Sequence, residues 1–181
     1  MAEPILITPY DPHWTEEFRD IGTRLRHALQ DVALRIDHIG STSVIELDAK
    51  PIIDIQISVS SFEPLQVYQE PMQNIGYVFR SDNPERTKRY FRESEGMRRT
   101  HIHVREQGSF GEQFALLFRD YLRQHANEAK YYAAIKYKLK DQYEQDRHHY
   151  VEAKEPFIWE IMRRASEWSQ QVGWKPGQLD V

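Results

Sequence analysis

The chain has 181 residues, of which 40% are hydrophobic and 29% are charged, and these proportions are typical of a globular domain with one core. No apolar run approaches the ~18 residues of a membrane span, and the absence of cysteine excludes disulfides and thiolate metal sites. The formal net charge of −4 argues against a surface built for long nucleic acids. The opening residues, MAEPILITPYD, lack the pattern of an export signal, so we expect a cytoplasmic protein without membrane attachment.

The first predicted element is an amphipathic helix that begins near Asp11-Pro12, a pair that favours helix starts. Apolar residues then recur at helical spacing and would pack on a sheet. They are Trp14, Phe18, Ile21, Leu25 and Ala28.

Residues 35–59, RIDHIGSTSVIELDAKPIIDIQISV, are the most informative stretch. A short strand ends at Gly40, a residue that can adopt backbone angles others avoid. Ser43 and Glu46 match the S-x-x-E capping box, which predicts one or two turns of helix. The free amides of such a helix start would attract phosphate beside Gly40 and Ser41.

A second strand follows Lys50-Pro51, because proline is tolerated as the first residue of a strand. Isoleucines occupy one face of this strand, and Asp54 and Gln56 share the other, roughly 7 Å apart. A carboxylate beside a phosphate-binding turn is a sensible arrangement for a nucleotide and its Mg²⁺.

The sequence HIGSTSV followed by AKPIIDI resembles the signature of the GrpB family (UPF0157-type), which is similar to the nucleotidyltransferases of the DNA polymerase β superfamily. The resemblance extends from Pro9 to about Trp168. It implies an α+β fold with a nucleotidyltransferase-like mixed β-sheet flanked by helices and a C-terminal helical half. We expect residues 1–106 to form the core and residues 107–181 to pack on it as part of one structural unit.

The resemblance also implies site residues, with an NTP as substrate and Mg²⁺ as cofactor. Gly40 and Ser41 match the phosphate-binding turn, and Asp54 matches the first metal ligand. Gln56 stands where the superfamily has a second acid, and a neutral amide coordinates a metal only weakly. The predicted metal ligands are Asp54 and Gln56, and the predicted nucleotide-binding residues are Gly40, Ser41, Thr42, Ser43, Lys50, Arg105, Lys136 and Lys154.

Later strands are predicted at residues 77–79, 89–91 and 100–105, after a helix within residues 60–74. In the last strand His101 and His103 share a face, so the pair can bind one ligand, metal or phosphate, or merely hydrogen-bond neighbours at the sheet edge. We predict a catalytic role for Asp54, His101 and His103. Residues 80–105 carry eight basic and four acidic residues, which indicates either a compact anion site or a solvated hairpin.

Beyond Gly108 the apolar spacing predicts helices, the last beginning at Pro156, and a loose tail from Gly173. Lys136 and Lys154 either reach a nucleotide phosphate or solvate a helix face. His148-His149 is assigned to the surface.

Three functions remain open from the sequence. The first is a nucleotidyltransferase that acts on an unknown small-molecule or protein acceptor, as a monomer or small homo-oligomer. The second is a nucleotide- or CoA-related helper module with reduced chemistry, because GrpB-like domains occur joined to dephospho-CoA kinase. The third is a hydrolase of the HIT type, which is disfavoured because those enzymes carry three alternating histidines and this chain has two.

Overall fold

The computed structural model describes residues 4–181, and the first three residues of the stretch assessed for an export signal lie outside them. Five α-helices and five strands follow one another along these residues. In chain order they are α1 (His13–Leu29), β1 (Arg35–Ile39), β2 (Ile53–Val59), α2 (Gln66–Asn74), β3 (Tyr77–Phe79), β4 (Arg89–Glu93), β5 (Thr100–Glu106), α3 (Phe110–Gln124), α4 (Ala126–Gln142) and α5 (Arg147–Val172). The predicted α+β class with a helical C-terminal half is confirmed. None of these helices combines the length and apolarity that crossing a bilayer requires.

The five strands form one mixed sheet in the order β1-β2-β5-β4-β3. The central pair, β2 and β5, is parallel, and the other neighbouring pairs are antiparallel. In the β2–β5 register Asp54 lies opposite His101, and Gln56 lies opposite His103. Because directly opposed residues point to the same face, this register gathers the polar side chains of both strands on one side of the sheet.

The other face of β2 forms the core, as its alternation predicts. The isoleucines of β2 are fully buried, and α1 covers them with a row of apolar side chains. That row contains Trp14, Phe18, Ile21, Leu25 and Leu29.

The polar face is joined to α3 by buried charges. Asp37 on β1 is fully buried and accepts two hydrogen bonds of 2.9 Å from the Arg35 guanidinium. Arg119 of α3 adds a contact of 3.4 Å to the same carboxylate. A buried charge needs such partners, so this cluster fixes α3 against the sheet. The boundary between residues 106 and 107 stays a prediction.

The capping box at Ser43 and Glu46 was the wrong interpretation of its segment. The chain forms a single 3₁₀ turn over Ser41–Ser43, and Glu46 takes a left-handed φ of 62°, which a helix cannot contain. The Ser43 hydroxyl donates to the Gly40 carbonyl instead of capping a helix. The bend therefore leads into a single 3₁₀ turn and does not begin an α-helix.

Two predictions at the C-terminal end were also wrong. Helix α5 begins at Arg147, because the Asp146 side chain accepts from the His149 amide and caps it, and Pro156 lies inside the helix. The tail after Gly173 is docked: Asp180 accepts from the His38 amide at 2.9 Å. A sequence pattern of glycine and proline does not reveal such tertiary contacts.

Candidate functional site

The site begins where the bend after β1 meets the first residues of β2. Gly40 has a φ of +70°, and a Cβ added there would lie 3.0 Å from Asp54 Oδ2. Glycine is therefore required both by the backbone angle and by the close carboxylate. The Asp54 side chain is 28% exposed, so the aspartate lies beside the bend and outside the apolar core.

Two histidines meet the same oxygen of this aspartate. His101 Nδ1 and His103 Nε2 each lie 3.4 Å from Asp54 Oδ1. Burial raises the pKa of Asp54, but the hydrogen bonds from both histidines outweigh burial and hold the pKa well below its usual range. Burial lowers the pKa of His103 and so favours its neutral imidazole. The cluster therefore combines a carboxylate that favours its ionised form with an imidazole that favours its neutral form.

Tyr90 on β4 orients the two imidazoles by packing. Its ring centroid lies 5.6 Å from that of His101, edge to face, and 5.4 Å from that of His103. The neighbouring Lys88 ammonium lies 5.1 Å from the Tyr90 centroid on its ring face. Tyr90 could not be identified from the sequence, because one tyrosine in a short strand is informative only when β4 is known to lie beside β5.

Asp54 and His101 line a cavity of about 210 Å³ that is otherwise rich in basic side chains. We call it the basic cavity, and its wall is supplied by the bend, β2, β5, α4 and α5. The polar and aromatic lining residues are Ser41, Thr42, Lys50, Asp54, His101, Tyr132, Lys136, Arg147, Tyr150 and Lys154. The structure thus brings together residues more than 100 positions apart in the chain.

Lys136 is the most deeply placed cation of the basic cavity. Its side chain is 4% exposed, and its Nζ donates to Ser41 Oγ at 3.0 Å and to the Asp48 carbonyl. Burial and the charge of Lys154 lower its pKa to about 7. Burial makes the charged form of this amine unfavourable, and a bound anion would offset that desolvation penalty.

Lys50 and Lys154 lie against the ring of Tyr150. Their Nζ atoms are 4.8 and 4.7 Å from its centroid. Burial and the charge of Lys154 lower the pKa of Lys50 to about 8, and burial also lowers the pKa of Lys154. Arg147 lines the same wall. It could not be predicted from the sequence, because an arginine at the start of a helix belongs to no local motif that indicates a site.

The side chains of the predicted residues Thr42 and Ser43 donate hydrogen bonds to backbone carbonyls. Thr42 Oγ1 donates to the Ile52 carbonyl at 3.2 Å and lies 2.9 Å from His38 Nε2. Burial lowers the pKa of His38 to about 3, so its ring is neutral. Because the Thr42 hydroxyl donates to Ile52, it accepts from the His38 Nε2–H. Ser43 is not among the residues that line the basic cavity.

Arg105 is not brought to the basic cavity. Its guanidinium lies 3.0 Å from Glu85 and donates to the Thr87 carbonyl. Most other basic residues of the 80–105 segment are likewise paired with acids, through the contacts Arg80–Asp82, Lys88–Glu85, Arg89–Glu63, Arg92–Glu93 and Arg98–Glu17. The solvated, ion-paired hairpin is the better interpretation of that segment.

Gln56 is fully buried, and its Nε2 donates to the Glu112 carbonyl at 3.3 Å. Acids on the other strands of the sheet, at Asp37 in β1, Glu93 in β4 and Glu106 in β5, are engaged elsewhere. Asp37 is paired with arginine, Glu93 binds Arg92 and the Thr100 amide, and Glu106 accepts from the Phe62 amide. Asp54 is accordingly the carboxylate that, with His101 and His103, forms the group of possible metal ligands found in the described residues.

A sequence model described as "GrpB protein" matches residues 4–164. This chain belongs to the GrpB family. It is 37% identical to UPF0157 protein YqkA of Bacillus subtilis, over 89% of this chain and 47% of that protein. It is 33% identical to a dephospho-CoA kinase of Mycolicibacterium paratuberculosis, over 96% of this chain and 49% of that protein. The chain therefore spans about half the length of these two relatives.

Solved structures support the same family and fold. The conserved protein GrpB from Enterococcus faecalis superimposes with a TM-score of 0.80 at 32% identity, over 90% of this chain and 99% of that one. The Cid1 poly(U) polymerase with MgGTP bound superimposes with a TM-score of 0.55 at 14% identity, over 77% of this chain and 45% of that one. The GrpB chain thus has the predicted nucleotidyltransferase-like fold.

Proposed function

We propose that this GrpB protein binds a nucleoside triphosphate in the basic cavity and transfers its nucleotidyl group to an acceptor hydroxyl. The observation that carries the proposal is the meeting of the Gly40–Ser41 bend with Asp54 at a cavity lined by Lys50, Lys136, Arg147 and Lys154. The phosphates would lie against these cations, whose charge offsets that of the triphosphate. The Cid1 complex with MgGTP, on the same fold, supports this choice of ligand.

In this reaction the acceptor oxygen forms a bond to the α-phosphorus, and the bond from the α-phosphorus to the bridging oxygen breaks. The acceptor proton passes to the solvent, and pyrophosphate leaves with the electron pair of the broken bond. Lys136 and Lys154 would hold the β- and γ-phosphates and stabilise the charge that develops on the leaving group. Lys136 Nζ donates to Ser41 Oγ at 3.0 Å, and this bond would hold the bend beside the phosphates.

The residues present fit a pair of Mg²⁺ ions poorly. Mg²⁺ takes oxygen ligands in a near-octahedral arrangement, whereas this site offers one carboxylate and two imidazoles. The neutral, hydrogen-bonded Gln56 does not replace the missing acid. The proposed reaction is therefore attributed to the cations of the basic cavity, and no step is assigned to Mg²⁺.

Calorimetric titration of each NTP into the wild-type protein tests the proposal. Lys136→Met and Lys154→Met each remove one charged donor, which should weaken binding by about 10- to 100-fold. Lys138→Met is the matched control, because Lys138 is an exposed lysine on the same helix. The proposal fails if no NTP binds, or if both variants bind as the wild type does. Release of pyrophosphate with a suitable acceptor would establish the transfer.

A second candidate is a helper module for coenzyme A synthesis. It is favoured by the match of 96% of this chain to half of a dephospho-CoA kinase. Dephospho-CoA also carries phosphates that the basic cavity would accept. Competition between dephospho-CoA and NTPs separates the two functions, since a helper should prefer the former. The cytoplasmic location and the monomeric or small homo-oligomeric state stay predictions.

A further inference from the structure

We infer that Asp54, His101 and His103 form a binding site for one divalent transition-metal ion of the Zn²⁺, Co²⁺ or Fe²⁺ type. The three donor atoms come from two neighbouring parallel strands, in consecutive positions of one face. All three lie within 4.8 Å of one another. The inference stands independently of nucleotide binding.

The donor spacing matches metal coordination. Ligand atoms bound at about 2.1 Å in a tetrahedral site are separated from one another by about 3.4 Å. Both histidine nitrogens lie 3.4 Å from Asp54 Oδ1, so two edges of the coordination polyhedron are already present. The third edge, between the two imidazoles, is at most 4.8 Å.

The two histidine contacts are long for hydrogen bonds to a carboxylate, since a charge-assisted bond is usually about 2.7–2.9 Å long. His101 Nδ1 and His103 Nε2 each lie 3.4 Å from Asp54 Oδ1, so an ion bound by the three donors would replace only weak hydrogen bonds.

The donor types select the metal. Two imidazoles and one carboxylate form the ligand set of catalytic zinc sites and of non-haem iron sites, in which the remaining positions stay open. Mg²⁺ prefers oxygen ligands. The other Asp54 oxygen faces Gly40, which leaves Oδ1 for the ion. Since Asp54 and His101 line the basic cavity, the open positions would face the phosphates.

Metal binding to the full chain, without nucleotide, tests the inference. Zn²⁺ and Co²⁺ should bind with one equivalent per chain and at least about 100-fold more tightly than Mg²⁺, measured by calorimetry and metal analysis. His101→Ala and His103→Ala should each weaken Zn²⁺ binding by at least about 100-fold, the upper end of the loss from removing an outer partner. His27→Ala, which alters an exposed histidine of α1, should leave binding unchanged.

Selectivity in the wild-type protein keeps the inference falsifiable even if a variant fails to fold. Equal affinity for Mg²⁺ and Zn²⁺, absence of Zn²⁺ binding, or unchanged binding in both histidine variants would each overturn it. The lysine variants separate this result from the proposed function. Zn²⁺ binding without NTP binding would support the metal site and refute the nucleotide proposal. NTP binding without Zn²⁺ binding would refute the metal site and support the nucleotide proposal.

Discussion

Nucleotide binding should draw protons into the basic cavity. Lys136 and Lys50 have pKa values of about 7 and about 8, because burial and nearby cations disfavour their charged forms. A bound triphosphate supplies negative charge and should raise both pKa values towards that of a free lysine. Binding above neutral pH must then be accompanied by proton uptake.

The size of the effect follows from these pKa values. At pH 8 a lysine of pKa about 7 is about nine-tenths unprotonated, and one of pKa about 8 is about half unprotonated. Full protonation on binding takes up at most about 1.4 protons from these two residues. Lys154, whose pKa is also lowered, can add to this number. Since the charged lysines bind the anion, affinity should fall as the pH rises above 7.

Calorimetry in buffers of different ionisation enthalpy measures this uptake. For Lys136→Met the uptake at pH 8 should drop by about 0.9 proton, the unprotonated fraction that a pKa of about 7 gives. Lys138→Met should retain the wild-type value. Uptake near zero, or proton release, in the wild-type protein would refute the assignment of the phosphates to these lysines.

Two pairs of substitutions distinguish effects on ligand binding from effects on the stability of the fold. Gly40→Ala and Gly108→Ala both place a side chain at positive φ, and each should destabilise the fold by about 1 kcal/mol. Only the Gly40→Ala methyl group would contact Asp54, so only this variant should weaken the binding of Zn²⁺ and NTP. Equal metal affinities in the two variants would show that the bend does not support Asp54. Asp180→Asn weakens contacts that dock the tail and should lower the free energy of unfolding by about 1–3 kcal/mol in urea titrations, while the exposed Asp141→Asn should change it little. Equal stability of these variants would mean that the tail is not held by Asp180.

The elements of the sheet were predictable because their sequence patterns are local. Alternation in β2 correctly separated its isoleucines from Asp54 and Gln56, and the alternation of THIHV correctly gave the strand that carries His101 and His103. The resemblance to the GrpB family then implied the mixed sheet, which the fold confirms.

The rest of the site depends on contacts between distant segments. The meeting of Asp54 with both histidines required the parallel β2–β5 register, which no local pattern encodes. Tyr150 and Arg147 enter the basic cavity only because α5 packs beside the bend. The capping box failed for the same reason, since Ser43 is engaged by Gly40 and its own carbonyl accepts from Arg123 of α3.

A crystal structure of the protein with a non-hydrolysable NTP analogue is the most direct test of the proposed site. We expect the phosphates to contact the ammonium groups of Lys136 and Lys154. Phosphates bound elsewhere on the protein, with these lysines still facing an unfilled cavity, would contradict it.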